Sequence, residues 1–309
     1  MKKWLGFFGA LVLFFCIAGW IDRPVYAEEV SENDFEYTDL GDGIEITKYV
    51  GTGIDSVIIP DIIDGKQVVS IGNRAFYLCS NLESIEIPKS VISIGESAFV
   101  GCGNLKSIEL PNSITSIGMY AFDECSSLKS IELPNSITSI GMYAFVRCTG
   151  LESIEIPNGV TRIEESVFEE CDRLKSIGFS NGVTSIGARA FRYCLSLEKI
   201  ELPNSVTSIE ARAFQYCSSL ESIGFTNGIT SIGGGAFEDC SSLESIELPN
   251  SVTSIGGGAF LGCSSLKSIE LPNSITSIGD YVFEGCSNLE SIKLPNSVTS
   301  IGNYTFYSF

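Results

Sequence analysis

The sequence predicts a repeat solenoid, with short parallel strands on one face, turns or 3-10 or short helical turns on the other, and a β-hairpin capping its N-terminal end. Three observations predict it. A phenylalanine recurs every 23 residues without insertion, at Phe76, Phe99, Phe122, Phe145, Phe168, Phe191, Phe214, Phe237, Phe260, Phe283 and Phe306. A cysteine follows three residues behind, from Cys79 to Cys286, in the same step. Short apolar alternations bounded by Pro, Asn and Gly keep the same register between them. A fixed period of about 20–50 residues marks one supersecondary unit stacked on copies of itself. The 309 residues therefore read as one elongated array.

Residues 1–27 read as an export signal. Lys2 and Lys3 precede an apolar run from Trp4 to Ala18, and Val25-Tyr26-Ala27 places small residues where a signal peptidase needs them before Glu28. The run is shorter than the roughly 20 apolar residues of a membrane span, so no membrane insertion is expected after cleavage. Cys16 follows Phe14-Phe15, too bulky a context for lipid attachment. Residues 28–34 are acidic and polar and are expected to be disordered. Residues 35–72 form a capping hairpin and entry coil: alternation in Phe35-Glu36-Tyr37 and Ile44-Glu45-Ile46 flanks the turn Gly41-Asp42-Gly43. Residues 73–309 are the solenoid, which ends in mid-repeat.

One coil, Leu82 to Asn104, shows the logic. Ser84-Ile85-Glu86-Ile87 alternates, so Ile85 and Ile87 face inward on a short strand. Pro88 stops the pairing and turns the chain, as Pro-Asn-Ser or Asn-Gly does in later copies. Val91 and Ile94 are the next inward pair, around exposed Ile92 and Ser93. Gly95 opens a tight turn that brings Ala98, Phe99 and Cys102 to one side. One coil cannot bury enough apolar surface to offset its own ordering, so neighbours must supply the rest and the register must be strict.

The pattern Leu-x-x-Ile-x-Leu-Pro-x-x-Val-x-x-Ile-Gly-x-x-Ala-Phe-x-x-Cys, as in Leu105 to Cys125, resembles the leucine-rich repeat of the BspA type, over about residues 35–309. Pro111 and Asn112 stand where an ordinary repeat continues toward its Asn ladder. Val167, Val282 and Thr305 depart from Ala, and Ser180 and Thr226 from Pro. The resemblance implies a secreted or cell-surface protein with an adhesin-like role toward host or microbial surface proteins or glycans. The competing expectation is a passive structural or spacer array. The chain stops in mid-coil at Tyr307-Ser308-Phe309, read either as a fragment of a longer frame or as an edge open to end-on self-association.

Charge and composition narrow the chemistry. The net charge of −19 becomes −21 without residues 1–27, which repels nucleic acid. There is no histidine and no Cys-x-x-Cys pair, so neither an enzyme, a cofactor nor a metal site is expected. Stacked cysteines all pointing one way are expected to be free thiols packed as small hydrophobes.

Binding is sought where copies differ. The outward strand position reads Glu86, Glu109, Glu132, Glu155, Gly178, Glu201, Gly224, Glu247, Glu270 and Lys293. It is either a solvated face that discourages edge pairing or a ligand strip, with Lys106, Lys129, Lys175 and Lys267 nearby to relieve its repulsion. Gly178 and Gly224 precede Phe179 and Phe225, and mark either two notches for a close-approaching ligand or compensation for the larger Phe. The position two before each ladder Phe offers opposite-face patches at Tyr120, Tyr143, Arg189, Arg212, Tyr281 and Tyr304, as contact anchors or as traces of coil duplication. Arg162, Arg173, Arg189, Arg192 and Arg212 make the middle coils the least acidic.

Overall fold

The computed structural model describes residues 31–52 and 55–308, so the export leader of residues 1–27 lies outside the described residues. Strands β1 (Phe35–Asp39) and β2 (Ile44–Tyr49) form the expected antiparallel hairpin, with a bulge between Glu36 and Tyr37. After β3 (Ser56–Ile58), strands β4 (Ile62–Ile63) and β5 (Lys66–Ile71) make a second hairpin around Asp64 and Gly65, both left-handed with φ of 51° and 77°. Strand β2 runs parallel to β5 and so becomes the first rung of the solenoid. Tyr49 stacks on Phe76 at 5.5 Å and Phe35 tilts onto Tyr49 at the same distance, which covers the open end of the phenylalanine column.

The disorder expected for residues 28–34 is corrected for its described part. Glu32–Asp34 form a 3-10 turn, the Ser31 N–H donates to Asp34 Oδ2 at 2.8 Å, and the Val50 N–H donates to the Asp34 carbonyl at 2.8 Å. These bonds to the end of β2 outweigh the polar composition; residues 28–30 lie outside the described residues.

Later coils add a three-residue strand, as Ser84–Glu86 and Ser107–Glu109, reduced to a single bridge from Ser130 to Ser153 in one coil, and a two-residue strand, as Ser93–Ile94 and Ser116–Ile117. Both pair in parallel with their 23-residue neighbours, Ile85 with Ile108 and Ile94 with Ile117. Inside, Leu105, Ile108, Ile114, Ile117, Ala121, Phe122 and Cys125 are at most 6% exposed, and other coils repeat this set. Ladder phenylalanines stack in near-parallel planes, with centroids from 5.1 Å (Phe76–Phe99) to 5.9 Å (Phe283–Phe306).

The ten described cysteines are free thiols, all buried except half-buried Cys79. From Cys102 onward the S–H groups have an acceptor: Cys102 donates to the Phe76 carbonyl at 3.2 Å, and the same bond recurs down to Cys286 and Phe260. Burial pushes the thiols up, Cys102 and Cys286 to about 12, so they stay protonated and unreactive.

The face expected to carry turns, 3-10 or short helical turns carries turns, and their bonding alternates. In the Phe122 coil the N–H groups of Ala121, Asp123 and Cys125 bond back three residues, whereas those of Tyr120, Phe122 and Glu124 donate to the carbonyls of Met142, Ala144 and Val146 in the next coil. Tyr120 and Glu124 are left-handed, with φ of 56° and 61°. That alternation keeps the turn from becoming a helix and aims every second N–H along the solenoid axis. The turn face is thus hydrogen-bonded from coil to coil much as the strand face is.

Candidate functional site: the strand face and the turn face

On the strand face Glu86, Glu109, Glu132, Glu155, Glu201, Glu247 and Glu270 are all exposed, and register places Glu86 beside Glu109 and Glu247 beside Glu270. None of these carboxylates has an ion pair among the described residues. Two of the four lysines expected to relieve them act elsewhere: Lys106 pairs with Glu83, and Lys267 with Glu244 at 2.8 Å, each within its own column.

Gly178 and Gly224 do not leave empty notches. A Cβ on Gly178 would lie 1.7 Å from Glu155 Oε2, and one on Gly224 would lie 2.1 Å from Glu201 Oε2. The preceding coil's carboxylate crosses each glycine. Beneath, Phe179 and Phe225 meet Phe191 and Phe237 edge-on at 6.2 and 6.0 Å. Ser180 and Thr226, which replace Pro, donate to the carbonyls of Pro157 and Pro203. Both glycines therefore belong to a local repacking in which the preceding coil's carboxylate lies against them.

The strip deepens toward its C-terminal part. A hollow of about 640 Å³ is lined by Glu247, Leu248, Glu270, Leu271, Pro272 and Lys293 among others. A second, of about 380 Å³, shares Glu247 and Leu248 with it and extends to Gly224 and Phe225. The two share a wall and line one trough that is more polar than apolar, with carboxylates that have no ion pair among the described residues along its side.

The turn face carries two left-handed columns per coil, which the sequence reading missed. One is the position two before each ladder Phe, from Arg74 through Tyr304; the other is two after it, from Leu78 through Ser308. The expected patches stand in the first column. Tyr120 and Tyr143 stack at 4.7 Å, Tyr281 and Tyr304 at 5.4 Å, and Tyr143 Oη donates to Glu165 Oε1, which also accepts from Arg189 at 2.8 Å. Tyr193 and Tyr216 stack at 4.6 Å in the second column, with the Arg192 guanidinium over Tyr193. The scatter of Gly among Tyr, Arg and Ser in both columns was the available signal.

The middle arginines are mostly neutralised. Arg147 grips Asp123 and Glu124, Arg189 pairs with Glu165, and Arg192 with Glu169. Arg162 spans Glu164, Ser185 and Glu210, the last two coils away. Both glutamates stand where neighbouring coils have Gly. Arg173 and Arg212 are exposed without an ion pair among the described residues.

The model of the BspA type leucine rich repeat region matches residues 69–198 and 184–309. The chain belongs to the BspA-type leucine-rich repeat family. This BspA-type solenoid is similar to the crystal structure of a leucine-rich repeat protein from Bacteroides ovatus, at 31% identity over 91% of this chain and 80% of that one, with a TM-score of 0.76. It is also similar to a leucine-rich repeat protein of T. pallidum, at 31% identity over 77% and 91%, with a TM-score of 0.51. A leucine-rich repeat protein from Eubacterium ventriosum shares the fold at 24% identity, 85% and 88% coverage and a TM-score of 0.52. No curated protein matches the chain.

Proposed function

We propose that this BspA-type array is an exported, surface-exposed, non-enzymatic scaffold that binds a partner protein along its strand face. The observation that carries the reading is the trough between Gly224 and Pro295, where Glu247 and Glu270 stand one coil apart, next to Leu248, Leu271 and Lys293, with no ion pair among the described residues. Carboxylates at coil spacing in a polar trough suit an extended segment carrying Lys or Arg. Desolvated contacts there would be stronger than on an open acidic surface. The leader of residues 1–27 supports export.

The test uses the protein from residue 28 onward, immobilised, with a fluorescent lysine-leucine decapeptide and a panel of purified extracellular matrix proteins as probes. Binding that weakens with salt and falls at least tenfold in the Glu247→Lys, Glu270→Lys double variant is expected. Equal binding by that variant overturns the trough as the site. A secretion reporter fused behind residues 1–27 checks export, and cytoplasmic retention overturns it.

A further inference from the structure

The turn that joins the two strands of a coil is not the same in every copy. In six coils it is Pro-Asn-Ser, at Asn112, Asn135, Asn204, Asn250, Asn273 and Asn296; in three it carries Asn-Gly, at Asn158-Gly159, Asn181-Gly182 and Asn227-Gly228. The three Asn-Gly asparagines are exposed. In an Asn-Gly pair the following main-chain nitrogen reaches the side-chain amide most readily, because glycine has no Cβ in the way. The serine copies differ in a second respect. Ser113, Ser136, Ser205 and Ser274 donate their hydroxyls to a carbonyl of the preceding coil, which tethers the residue after Asn. Glycine has no such tether.

Two of the three glycine copies are also held loosely. Each turn is closed by the N–H two residues after Asn, which donates to the carbonyl of the residue before Asn. Where that residue is Pro the bond is 3.0 Å, as from Ile114 to Pro111 and from Val206 to Pro203, or 3.1 Å, as from Val160 to Pro157. Where it is Ser180 or Thr226 the bond is 3.4 Å, beyond the ordinary range of about 2.7–3.2 Å. Those two turns also lack the ring that fixes φ at their first residue. The strand that leads into each is open on one side. Ser176–Gly178 pairs with Ser153–Glu155 but has no ladder to Lys199–Glu201, and Ser222–Gly224 pairs with Lys199–Glu201 but has none to Ser245–Glu247, among the described residues. Before Asn158, by contrast, Ser153–Glu155 is paired on one side and bridged to Ser130 on the other.

We propose that Asn181 and Asn227 are sites of non-enzymatic deamidation with water as the co-reactant, and that the fold protects Asn158 and the Asn-Ser turns. At Asn227, solvent base takes the proton of the Gly228 N–H as that nitrogen bonds to Asn227 Cγ; the bond from Cγ to the amide nitrogen breaks and ammonia leaves. Water then opens the five-membered imide at either carbonyl. Opening at Cγ gives aspartate, and opening at the main-chain carbonyl gives isoaspartate; each carries a new carboxylate. Gly182 and Asn181 react in the same way. Asn227 lines the same hollow as Glu247, so its new charge lands in the strand-face trough. The isoaspartate form also lengthens the main chain by one carbon, in an array whose register admits no insertion. The reaction does not depend on the trough binding a partner.

The experiment is peptide-mapping mass spectrometry of the folded protein from residue 28 onward, incubated for weeks at mildly alkaline pH and digested in heavy-oxygen water to discount conversion during handling. Asn181 and Asn227 are expected to convert at least tenfold faster than any Asn-Ser asparagine and several-fold faster than Asn158, to a mixture of aspartate and isoaspartate, at a rate that rises with pH. In urea the three Asn-Gly pairs are expected to convert at closely similar rates, which isolates the part the fold plays. Gly228→Ser, which restores the residue of the other turns, is expected to slow Asn227 at least tenfold and to leave Asn181 unchanged. Thr226→Pro, which restores the usual first residue, is expected to bring Asn227 down to the rate of Asn158; a cooperative circular dichroism melt checks that both variants fold. Asn181 and Asn227 staying intact in the folded protein while the urea-unfolded chain converts overturns the proposal. So does a folded protein in which Asn158 keeps pace with them.

Discussion

Between Tyr143 and Tyr216 the turn face is covered by side chains that reach from coil to coil; between Gly233 and Gly262 the same face is nearly bare. The cores beneath do not differ. Phe145, Phe168, Phe191 and Phe214 in the first region and Phe237 and Phe260 in the second are all 0% exposed, and each cysteine makes the same bond to a phenylalanine carbonyl. What a coil must keep is therefore distinct from what it presents. Stacking depends on the buried columns and the backbone ladder, while the left-handed columns can carry Tyr, Arg, Ser or nothing.

The largest effect tests whether the cores are equivalent. Phe191→Ala and Phe260→Ala should each cost about 3–5 kcal/mol by urea unfolding, since each empties a ring-sized space between two stacked neighbours. The two losses should agree within about 1 kcal/mol, the scatter expected for one chemistry at well-matched sites. A clearly smaller loss at Phe260 would show that the bare coils already pack loosely.

Next comes the cover itself. Asp123 is 8% exposed and is held by two nitrogens of Arg147, with no counterpart over the glycine coils. Arg147→Ala should cost about 1–2 kcal/mol at pH 7, below the figure for a fully buried pair because Arg147 itself is 44% exposed. Burial raises the Asp123 pKa above its ordinary 3.8, and Arg147 opposes that rise. Losing Arg147 lifts the folded-state value further, so the folded state holds its proton to higher pH than the unfolded chain. The deficit is then full above that raised value and shrinks as pH falls toward 3, where Asp123 is protonated in both states. Melts of both proteins across pH 3–7 measure it; a pH-independent deficit would mean that packing, not charge, is lost.

These two regions also show what could be read from the sequence. The solenoid, its register, the hairpin cap and the inward set of Leu, Ile, Ala, Phe and Cys follow from a period that tolerates no insertion. The outward glutamates were placed correctly because a strand alternates. The turn was not legible. Gly95, Ala98, Phe99 and Cys102 have helical spacing, and only the recurring φ near 60° at Ser97, Tyr120 and Tyr143 shows that the chain bonds sideways to its neighbour. Side-chain reach was equally hidden: nothing local to Arg162 points to Glu210, two coils away. Nor could the sequence show that Glu155 and Glu201 lie across Gly178 and Gly224.

Backbone strain separates the regions by a smaller amount. Arg212 is left-handed with φ of 59°, exposed and without an ion pair, whereas Gly235 and Gly258 hold the same conformation without a Cβ penalty. Arg212→Gly should therefore stabilise by about 0.5 kcal/mol, the strain relieved less the added freedom of the unfolded chain. Gly258→Tyr should cost about 1 kcal/mol by the same reasoning. Thermal melts of the two variants decide it. Opposite signs would mean that the middle coils tolerate left-handed residues through side-chain contacts stronger than the backbone cost.

The smallest effect is local and is read amide by amide. In the column that follows the second strand, the Ala188 N–H donates to Glu210 and the Asn303 N–H to Asp280, while those of Gly234 and Gly257, like those of Glu165 and Ala211 in the middle coils, have no acceptor among the described residues. Their neighbours Gly235 and Gly258 donate to the next coil at 3.0 and 2.8 Å. Hydrogen exchange should thus alternate within two residues, with Gly234 and Gly257 near the rate of an open chain and Gly235 and Gly258 protected to the limit of coil opening. Ala188 and Asn303 should be slowed by their side-chain acceptors, and Glu210→Ala should release Ala188 while leaving Gly187, bonded to Ile163, unchanged. If the whole 233–262 segment exchanged quickly instead, bare side-chain columns would be weakening the backbone ladder, and cover and core would no longer be independent. If it alternates as stated, the glycine coils rest on a backbone as firm as that of the middle coils.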